Sequence, residues 1–173
     1  RQMREMWALN NEIDDELIIS KITALQGKKN TGGKWSRPDI TFATFKEYDY
    51  ILLPTLEVIT FELKTDLDQM NVSSVYEAVA QQRSSHKSYV VYVAGNSPKR
   101  DIDSRADAIS EECGKHGIGL IVIDDISDYT TWETILDAER YEPNPERLNS
   151  FISTQLGDEV HNKIRQWYEP WRK

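Results

Sequence analysis

Three residues in the first half of the chain combine the side chains that phosphodiester hydrolysis requires. Glu62 and Lys64 stand two positions apart in Glu-Val-Ile-Thr-Phe-Glu-Leu-Lys, so a strand would project both from one face. Asp39 opens the preceding strand-like segment, and a hairpin between the two segments would bring it beside Glu62. Two such carboxylates suit Mg²⁺, and the lysine could hold or deprotonate the attacking water or neutralise charge on the phosphorane. Without Asp39, Glu-X-Lys would fit an exposed strand edge better.

The elements that must hold these side chains form a mixed α/β pattern with a central sheet. The apolar periodicity predicts, in chain order, a helix over 3–26, strands over 39–45 and 57–64, a helix from Asn71 or Ser73 to about 85, a strand over 88–94, a helix over 102–115 and a strand over 118–123. We expect the last two strands to be parallel because a helix connects them. After Asp124 the strand signals disappear, and short helices are expected, one of them beginning at Asn144-Pro145.

The segment Ser-Arg-Pro-Asp39-Ile, followed by Ile-Thr-Phe-Glu62-Leu-Lys64, resembles the motif of the PD-(D/E)xK nuclease superfamily. The order of predicted elements also resembles the core of that family. The resemblance implies an α/β fold with a restriction-endonuclease-like core, in which helices flank a central mixed β-sheet over 1–125. A C-terminal helical extension over 126–173 would pack on this core. The resemblance further implies that Asp39 and Glu62 ligate the metal, that the Leu63 backbone carbonyl adds a ligand, and that Lys64 is the catalytic lysine.

Two further site residues follow from the same resemblance. Members of the family often add an acidic residue from the first helix, and Glu16 is the candidate preferred here over Glu12. An exposed glutamate on an amphipathic helix is the competing interpretation. Many members of the family also carry polar residues on the helix after the motif lysine, and the corresponding segment of this chain resembles theirs. Of its two glutamines, Gln82 is preferred to Gln81 because it falls nearer the apolar side of the helix.

A basic segment stands directly before Asp39. From Lys21 to Arg37 the chain has five cations and no Asp or Glu, which is compatible with a basic rim beside an acidic pocket. The candidate contacts to nucleic acid are Lys28, Lys29, Lys34 and Arg37, with Trp35 as a stacking residue. A solvated basic loop and a buried tryptophan are the alternatives. The formal net charge of −8 argues against a protein that coats nucleic acid non-specifically, because phosphate contacts need Lys and Arg.

Length and composition indicate one globular domain. With 173 residues the chain can bury a core, and no apolar run approaches the roughly 18 residues of a membrane span. A single cysteine, Cys113, excludes an intramolecular disulfide and is typical of a reducing cytosol, so we expect a cytoplasmic protein. The chain begins at Arg1 rather than at a methionine, and we expect a part of a longer polypeptide.

These observations together predict a Mg²⁺-dependent endonuclease, with Mn²⁺ as a substitute metal. The expected substrate is nucleic acid, with DNA favoured, in a defence, mobile-element or repair system. Because the chain is acidic, a fused or separate recognition domain is expected to select the target, and a homodimer is left open. A catalytically silent nuclease fold that binds or assembles is the first alternative. The second is an α/β interaction domain that uses the tryptophans of its tail, Trp132, Trp167 and Trp171.

Overall fold

The structure, a computed structural model, describes residues 1–24 and 37–172. The helices are α1 (Gln2–Asn10), α2 (Val72–Gln82), α3 (Lys99–His116), α4 (Pro145–Phe151) and α5 (Gly157–Tyr168). The strands are β1 (Ile18–Ile22), β2 (Ile40–Tyr48), β3 (Ile51–Lys64), β4 (Lys87–Val93), β5 (Gly119–Ile123) and β6 (Trp132–Leu136). None of the helices in this part of the chain has the length and apolar character that a membrane crossing needs.

The strands form one mixed sheet in the order β1-β2-β3-β4-β5-β6. β1, β2 and β3 are antiparallel neighbours, β3 pairs with β4 and β4 with β5 in parallel, and β6 returns antiparallel to β5. The parallel pairing of β4 and β5 confirms the prediction from the helix that connects them. The α/β class with a central mixed sheet flanked by helices is likewise confirmed.

One face of the sheet is apolar and packs against α1. Trp7 of α1 lies edge-on to Phe61 and Tyr89, with ring centroids 5.1 and 5.4 Å away. Phe42 belongs to the same buried cluster. Aromatic pairs of this kind contribute about 0.5–1.5 kcal/mol beyond the burial of their area. The aromatic residues therefore fix β2, β3 and β4 relative to one another from this side.

The opposite face is covered by two groups of helices. α2 and α3 pack over β4 and β5, where Val90 and Leu120 are buried. The C-terminal helices pack over β2 and β3, where Trp167 of α5 stacks on Phe45 at a centroid distance of 5.7 Å. Glu62 pairs with Val90 in the parallel ladder, so its side chain belongs to this face. The chemistry-bearing side of β3 thus lies between the two groups of helices.

Residues 11–24 do not form the predicted long helix. α1 ends at Asn10, and Glu12 takes a left-handed conformation with φ of 52°. Ile18–Ile22 then forms β1 and pairs with β2. The prediction was wrong because Ile13, Leu17 and the isoleucines of β1 happen to recur at helical steps. Isoleucine is also a strong strand former, and pairing with β2 decides between the two structures.

The segment after Asp124 contains a strand that was not predicted. Trp132–Leu136 forms β6, which pairs with β5 and extends the sheet beyond residue 125. Every residue of β6 is half-buried or exposed, so the segment lacks the apolar run that made β4 and β5 recognisable.

The C-terminal helices agree better with the sequence prediction. α4 begins at Pro145, and the Asn144 side chain accepts hydrogen bonds from the backbone N–H groups of Glu146 and Arg147 at 3.0 and 3.2 Å. A π-helical turn, Ile152–Leu156, joins α4 to α5. Of the three tryptophans in the tail, Trp167 is buried, Trp132 packs partly on the core and Trp171 is exposed.

Candidate functional site

The register of the β2–β3 hairpin places Asp39 directly opposite Glu62. Ile40 pairs with Phe61, so the next position outward on each strand is Asp39 and Glu62. The Asp39 N–H donates to the Phe61 carbonyl at 3.1 Å. The Asp39 Oδ2 accepts a hydrogen bond from the Leu63 N–H at 2.8 Å, which turns the carboxylate toward β3. The hairpin therefore positions both carboxylates through backbone geometry.

Lys64 projects from the same face of β3 as Glu62 and joins two carboxylates. Its Nζ donates to Glu62 Oε1 at 2.9 Å and to Glu77 Oε2, on α2, at 2.6 Å. The three side chains are mostly buried, with exposed fractions of 11% for Glu62, 14% for Lys64 and 22% for Glu77. Ion pairs this far from water are screened little by salt. Glu77 thus holds the ammonium group of Lys64 against β3.

Gln81 contacts Glu62 from the next turn of the same helix. Its Nε2 donates to Glu62 Oε2 at 2.6 Å, and the residue is 1% exposed. Its Oε1 is buried and has no hydrogen-bond partner among the residues that the structure describes. Glu77 and Gln81 are four positions apart, so both face β3. One face of α2 therefore presents two polar groups to the strand that carries Glu62 and Lys64.

The position of α2 depends on its ends. Asn71 caps its first turn, with its side chain accepting from the Ser73 N–H at 2.8 Å. Beyond its last turn, the Ser85 hydroxyl donates to the Gln81 carbonyl at 3.2 Å and contacts the hydroxyl groups of Thr60 and Ser88. Thr60 lies on the same face of β3 as Glu62, so this buried hydroxyl cluster fixes the end of the helix against the site strand.

Burial and neighbouring charges perturb both ionisable groups of the pair. The pKa of Glu62 is raised to about 7, first because burial disfavours the carboxylate, with the hydrogen bond from Lys64 opposing and the charge of Asp39 adding to the rise. Burial by itself would lower the pKa of Lys64, but hydrogen bonds to Glu77 and Glu62 outweigh it and raise that pKa. Near neutral pH Lys64 is therefore a cation, and Glu62 can release or take up a proton.

The structure brings together the residues at the centre of the sequence prediction and separates others from it. Asp39, Glu62, Leu63 and Lys64 are neighbours, as the motif implied. Glu16 lies in a 3-10 turn before β1, and because Ile18 pairs with Thr44, it is at the end of β2 remote from Asp39. The proposal of Glu16 as a metal ligand is therefore wrong, since the helix that was to carry it does not form.

Gln82 also lies away from the site. Its Nε2 donates to the His116 carbonyl at 3.2 Å, whereas Gln81 is the residue that contacts Glu62. The sequence favours Gln82 because it falls nearer the side of the helix that carries Val75 and Val79. The face that α2 buries instead passes through Ser74, Val75, Ala78 and Gln81.

Sequence reasoning missed Glu77 as a site residue and rejected Gln81. Their spacing of four positions on a helix that follows the motif lysine is the signal that could have found them. The predicted nucleic-acid contacts Lys28, Lys29, Lys34 and Trp35 lie outside the described residues. Arg37 is half-buried directly before Pro38. A ligand role for the Leu63 carbonyl stays a prediction.

The donor set is compatible with a magnesium ion but contains few carboxylates. Within residues 1–24 and 37–172, no group of three or more His, Cys, Asp or Glu side chains is arranged to hold a metal ion. Mg²⁺ commonly uses one or two protein carboxylates and completes its shell with water and substrate phosphate. Asp39 and Glu62 meet that requirement, and the buried Gln81 Oε1 next to Glu62 is a further acceptor that no described residue contacts by a hydrogen bond.

No protein-family model and no curated protein matches the chain. A solved structure described as the SPO1766 protein of unknown function from Silicibacter pomeroyi is similar, with 12% sequence identity and a TM-score of 0.44. The similarity covers 99% of this chain and 90% of that one.

Proposed function

We propose that the chain is a Mg²⁺-dependent nuclease that hydrolyses phosphodiester bonds at Asp39, Glu62 and Lys64. The observation that carries this proposal is the register of β2 and β3, which sets Asp39 opposite Glu62 and leaves Lys64 on the same face. A buried carboxylate with a strongly perturbed pKa next to a lysine is typical of functional sites. The resemblance to the PD-(D/E)xK superfamily and its restriction-endonuclease-like fold supports the same function.

Asp39 and Glu62 would hold the metal ion, with the Leu63 carbonyl as an additional ligand. Bound Mg²⁺ would polarise a phosphate oxygen and lower the pKa of a coordinated water. Asp39 is oriented for this role by the hydrogen bond from the Leu63 N–H. Glu62 is oriented by Gln81, whose amide donates to the carboxylate oxygen that Lys64 does not contact.

Lys64 would stabilise the negative charge that develops on the phosphorane. Its raised pKa supports this role over that of a proton acceptor, because the ammonium form persists at neutral pH. Glu77 would act as a positioning residue that holds the ammonium group at the site. Of the roles that the sequence left open for Lys64, charge neutralisation is thus the one we adopt.

The proposed substrate is DNA, cleaved internally, in a bacterial defence, mobile-element or repair process. The charge of −8 supports target selection by a fused or separate recognition domain, because acidic residues outnumber the Lys and Arg residues that phosphate contacts need.

A catalytically silent nuclease fold is the second candidate. One observation favours it: Lys64 is bonded to both Glu62 and Glu77, so the lysine already compensates the charge of Glu62, the carboxylate that a metal would otherwise neutralise. In that case the site would serve stability, and the chain would act as a binding or assembly module.

A substrate and metal panel tests the two candidates. Supercoiled plasmid, linear duplex, single-stranded DNA and RNA would be incubated with Mg²⁺, with Mn²⁺ and with EDTA, and metal binding would be measured by calorimetry in parallel. Metal-dependent cleavage of at least one substrate is the result that we expect. If no substrate is cleaved and neither metal binds, the nuclease proposal is contradicted and the silent module is supported.

A further inference from the structure

The hairpin formed by β2 and β3 projects beyond the other strands of the sheet. β1 pairs with β2 no further than Thr44, and β4 pairs with β3 only from Ile59 onward. Within the described chain, residues 45–58 therefore form a two-stranded ribbon that has no strand beside it on either edge. We call the outer part of this ribbon, residues 46–55, the arm.

The arm carries a concentration of exposed apolar side chains. The exposed fraction is 98% for Tyr50, 90% for Leu52 and 67% for Leu53, and Tyr48 and Ile51 are about half exposed. At about 150–250 Å² for a large side chain, these five residues together expose roughly 600 Å². A contiguous patch of this size is at the upper limit of what monomers leave uncovered, and such patches mark interaction sites.

The apolar surface extends over both faces of the arm. Ile51, Leu52 and Leu53 are consecutive residues of β3, and all three are exposed. Successive residues of a strand point to opposite faces of the ribbon. A flat surface would cover only one of these faces, so the occupant that fits the arm is one that contacts it from more than one side.

The charges of the arm argue against an anionic occupant. Glu47 and Asp49, on either side of Tyr48, are exposed. The lysine of the arm, Lys46, is directed to the body of the chain, where its Nζ donates to the Asn11 carbonyl at 3.2 Å. Anionic lipid headgroups and nucleic-acid phosphates would repel the two carboxylates. The chemistry of the arm therefore favours a protein surface.

The chain itself has a further apolar contact near the base of the arm. Leu9, in the last turn of α1, is 71% exposed. The hydrogen bond from Lys46 to the Asn11 carbonyl holds the end of this helix beside the base of the arm. A second copy whose arm lies along the first thus meets an apolar side chain beyond the arm as well.

We infer that the arm is a self-association surface through which two copies of this chain form a symmetric dimer. In a two-fold contact each copy contributes the same patch, so the apolar area buried is about twice that of one arm, on the order of 1,200 Å². Specific protein interfaces bury about 1,200–2,000 Å² in total. Two arms reach this range, whereas one arm on a polar surface does not, which is why a second copy is the occupant.

The dimer would leave the candidate site accessible. Tyr48 is eight positions from Ile40, roughly 27 Å along β2, and Asp39 lies beyond the opposite end of that strand. The inference therefore does not depend on the proposed nuclease function, and the failure of either leaves the other intact.

Sedimentation equilibrium of the intact chain over a range of concentrations measures the association. Tyr50→Ser and Leu52→Ser would be compared with Trp171→Ser, which removes an exposed apolar side chain outside the arm. Because Tyr50 and Leu52 are almost fully exposed, their replacement should leave the folded monomer intact. Circular dichroism and chemical denaturation at low concentration check that it does.

We expect wild type to show a monomer–dimer equilibrium with a Kd in the micromolar range, because the buried area is at the lower limit for specific interfaces. Each arm substitution occurs twice in the dimer and should weaken association at least about tenfold. Trp171→Ser should dimerise within about twofold of wild type. The inference is overturned if wild type stays monomeric up to about 200 µM, if the arm variants dimerise like wild type, or if Trp171→Ser loses as much affinity.

Tyrosine nitration followed by peptide mass spectrometry gives a second measurement that needs no variant. Tyr50 should react readily in dilute solution and more slowly as the dimer forms, whereas Tyr141, exposed outside the arm, should react equally at both concentrations. Unchanged reactivity of Tyr50 would overturn the inference. Binding of a monomeric chain to phospholipid vesicles that Leu52→Ser abolishes would also overturn it, because the arm would then be a membrane contact.

Discussion

The Nζ atom of Lys64 lies 2.6 Å from the Oε2 atom of Glu77, which reaches it from a helix thirteen positions later in the chain. The contact is mostly buried and gives Lys64 a second carboxylate besides Glu62. It joins α2 to β3 at the candidate site. The charge state of Lys64, and with it the proposed role in stabilising the phosphorane, therefore depends on a helix that the motif does not include.

Replacement of Glu77 by Gln should lower the pKa of Lys64. Burial lowers this pKa, and the hydrogen bond from Lys64 to Glu77 is the largest of the influences that raise it. Without that hydrogen bond, the lowering effect of burial is opposed less strongly. Titration of the lysine side chains by NMR measures the change. Glu111→Gln, at an exposed partner of Lys115, is a matched control and should leave Lys64 unaffected. An unchanged Lys64 pKa in Glu77→Gln would refute the positioning role.

The pKa of Glu62 should move in opposite directions in two variants. Asp39→Asn removes a neighbouring negative charge and should lower it from about 7, whereas Lys64→Met removes a hydrogen-bond donor and a cation and should raise it further. Carboxyl carbon chemical shifts followed against pH report both. Shifts of the same sign in the two variants would be inconsistent with the arrangement of Asp39, Glu62 and Lys64.

Stability should reflect the raised pKa of Glu62. The folded protein holds this proton more tightly than the unfolded chain, whose carboxyl has a pKa near 4.5. The contribution of protonated Glu62 to the free energy of unfolding is full below pH 4.5 and is lost as pH rises through about 7. Glu62→Gln keeps a neutral side chain at every pH, so it should become more stable than wild type as pH rises from 4.5 to about 7. The difference in the free energy of unfolding should reach about 3 kcal/mol at most. A difference independent of pH would contradict the assignment.

His86 should make the fold sensitive to acid. Its Nδ1 accepts the Val58 N–H at 2.9 Å, so the folded protein requires the neutral ring with its proton on Nε2. The pKa of His86 is lowered, chiefly by burial and then by the charge of Arg140. Its contribution to stability is therefore full above the unfolded pKa near 6.5 and is lost as pH falls through the lower folded value.

Replacement of His86 by Ala should cost about 2–4 kcal/mol at neutral pH, because it leaves the Val58 N–H without its acceptor and opens a cavity. Chemical denaturation at pH 8 and pH 5 measures this cost and its dependence on pH. His161→Ala, on the exposed face of α5, is the control and should change stability by less than about 0.5 kcal/mol. Equal costs in the two variants would show that the buried contact is unimportant.

The part of the fold that sequence could predict is the part with strong local signals. β4 and β5 are continuous apolar runs, and α2 has an asparagine cap at Asn71. β1 was missed because its isoleucines fit two periodicities, and only pairing with β2 chooses between them. β6 was missed because an edge strand with little buried surface leaves a weak pattern.

The strand residues of the candidate site could be predicted from the sequence, and the residues that α2 contributes could not. The pairing of Asp39 with Glu62 follows from a hairpin between two recognisable strands. The contribution of α2 depends on the rotation of that helix about its axis, which its apolar residues defined poorly because Ser74 and Gln81 share the buried face. For that reason Gln82 was chosen in place of Gln81, and Glu77 was not identified.

Cleavage by matched variants tests the central claim most directly. Asp39→Asn and Lys64→Ala would be assayed with the substrate and metal that support cleavage by wild type. The controls are Asp103→Asn and Lys99→Ala, an exposed pair on α3. We expect each site variant to lose at least about a hundredfold in rate, as removal of a group that stabilises transition-state charge does, with both controls near wild type. Undiminished cleavage by Asp39→Asn and Lys64→Ala would contradict the assignment of the site.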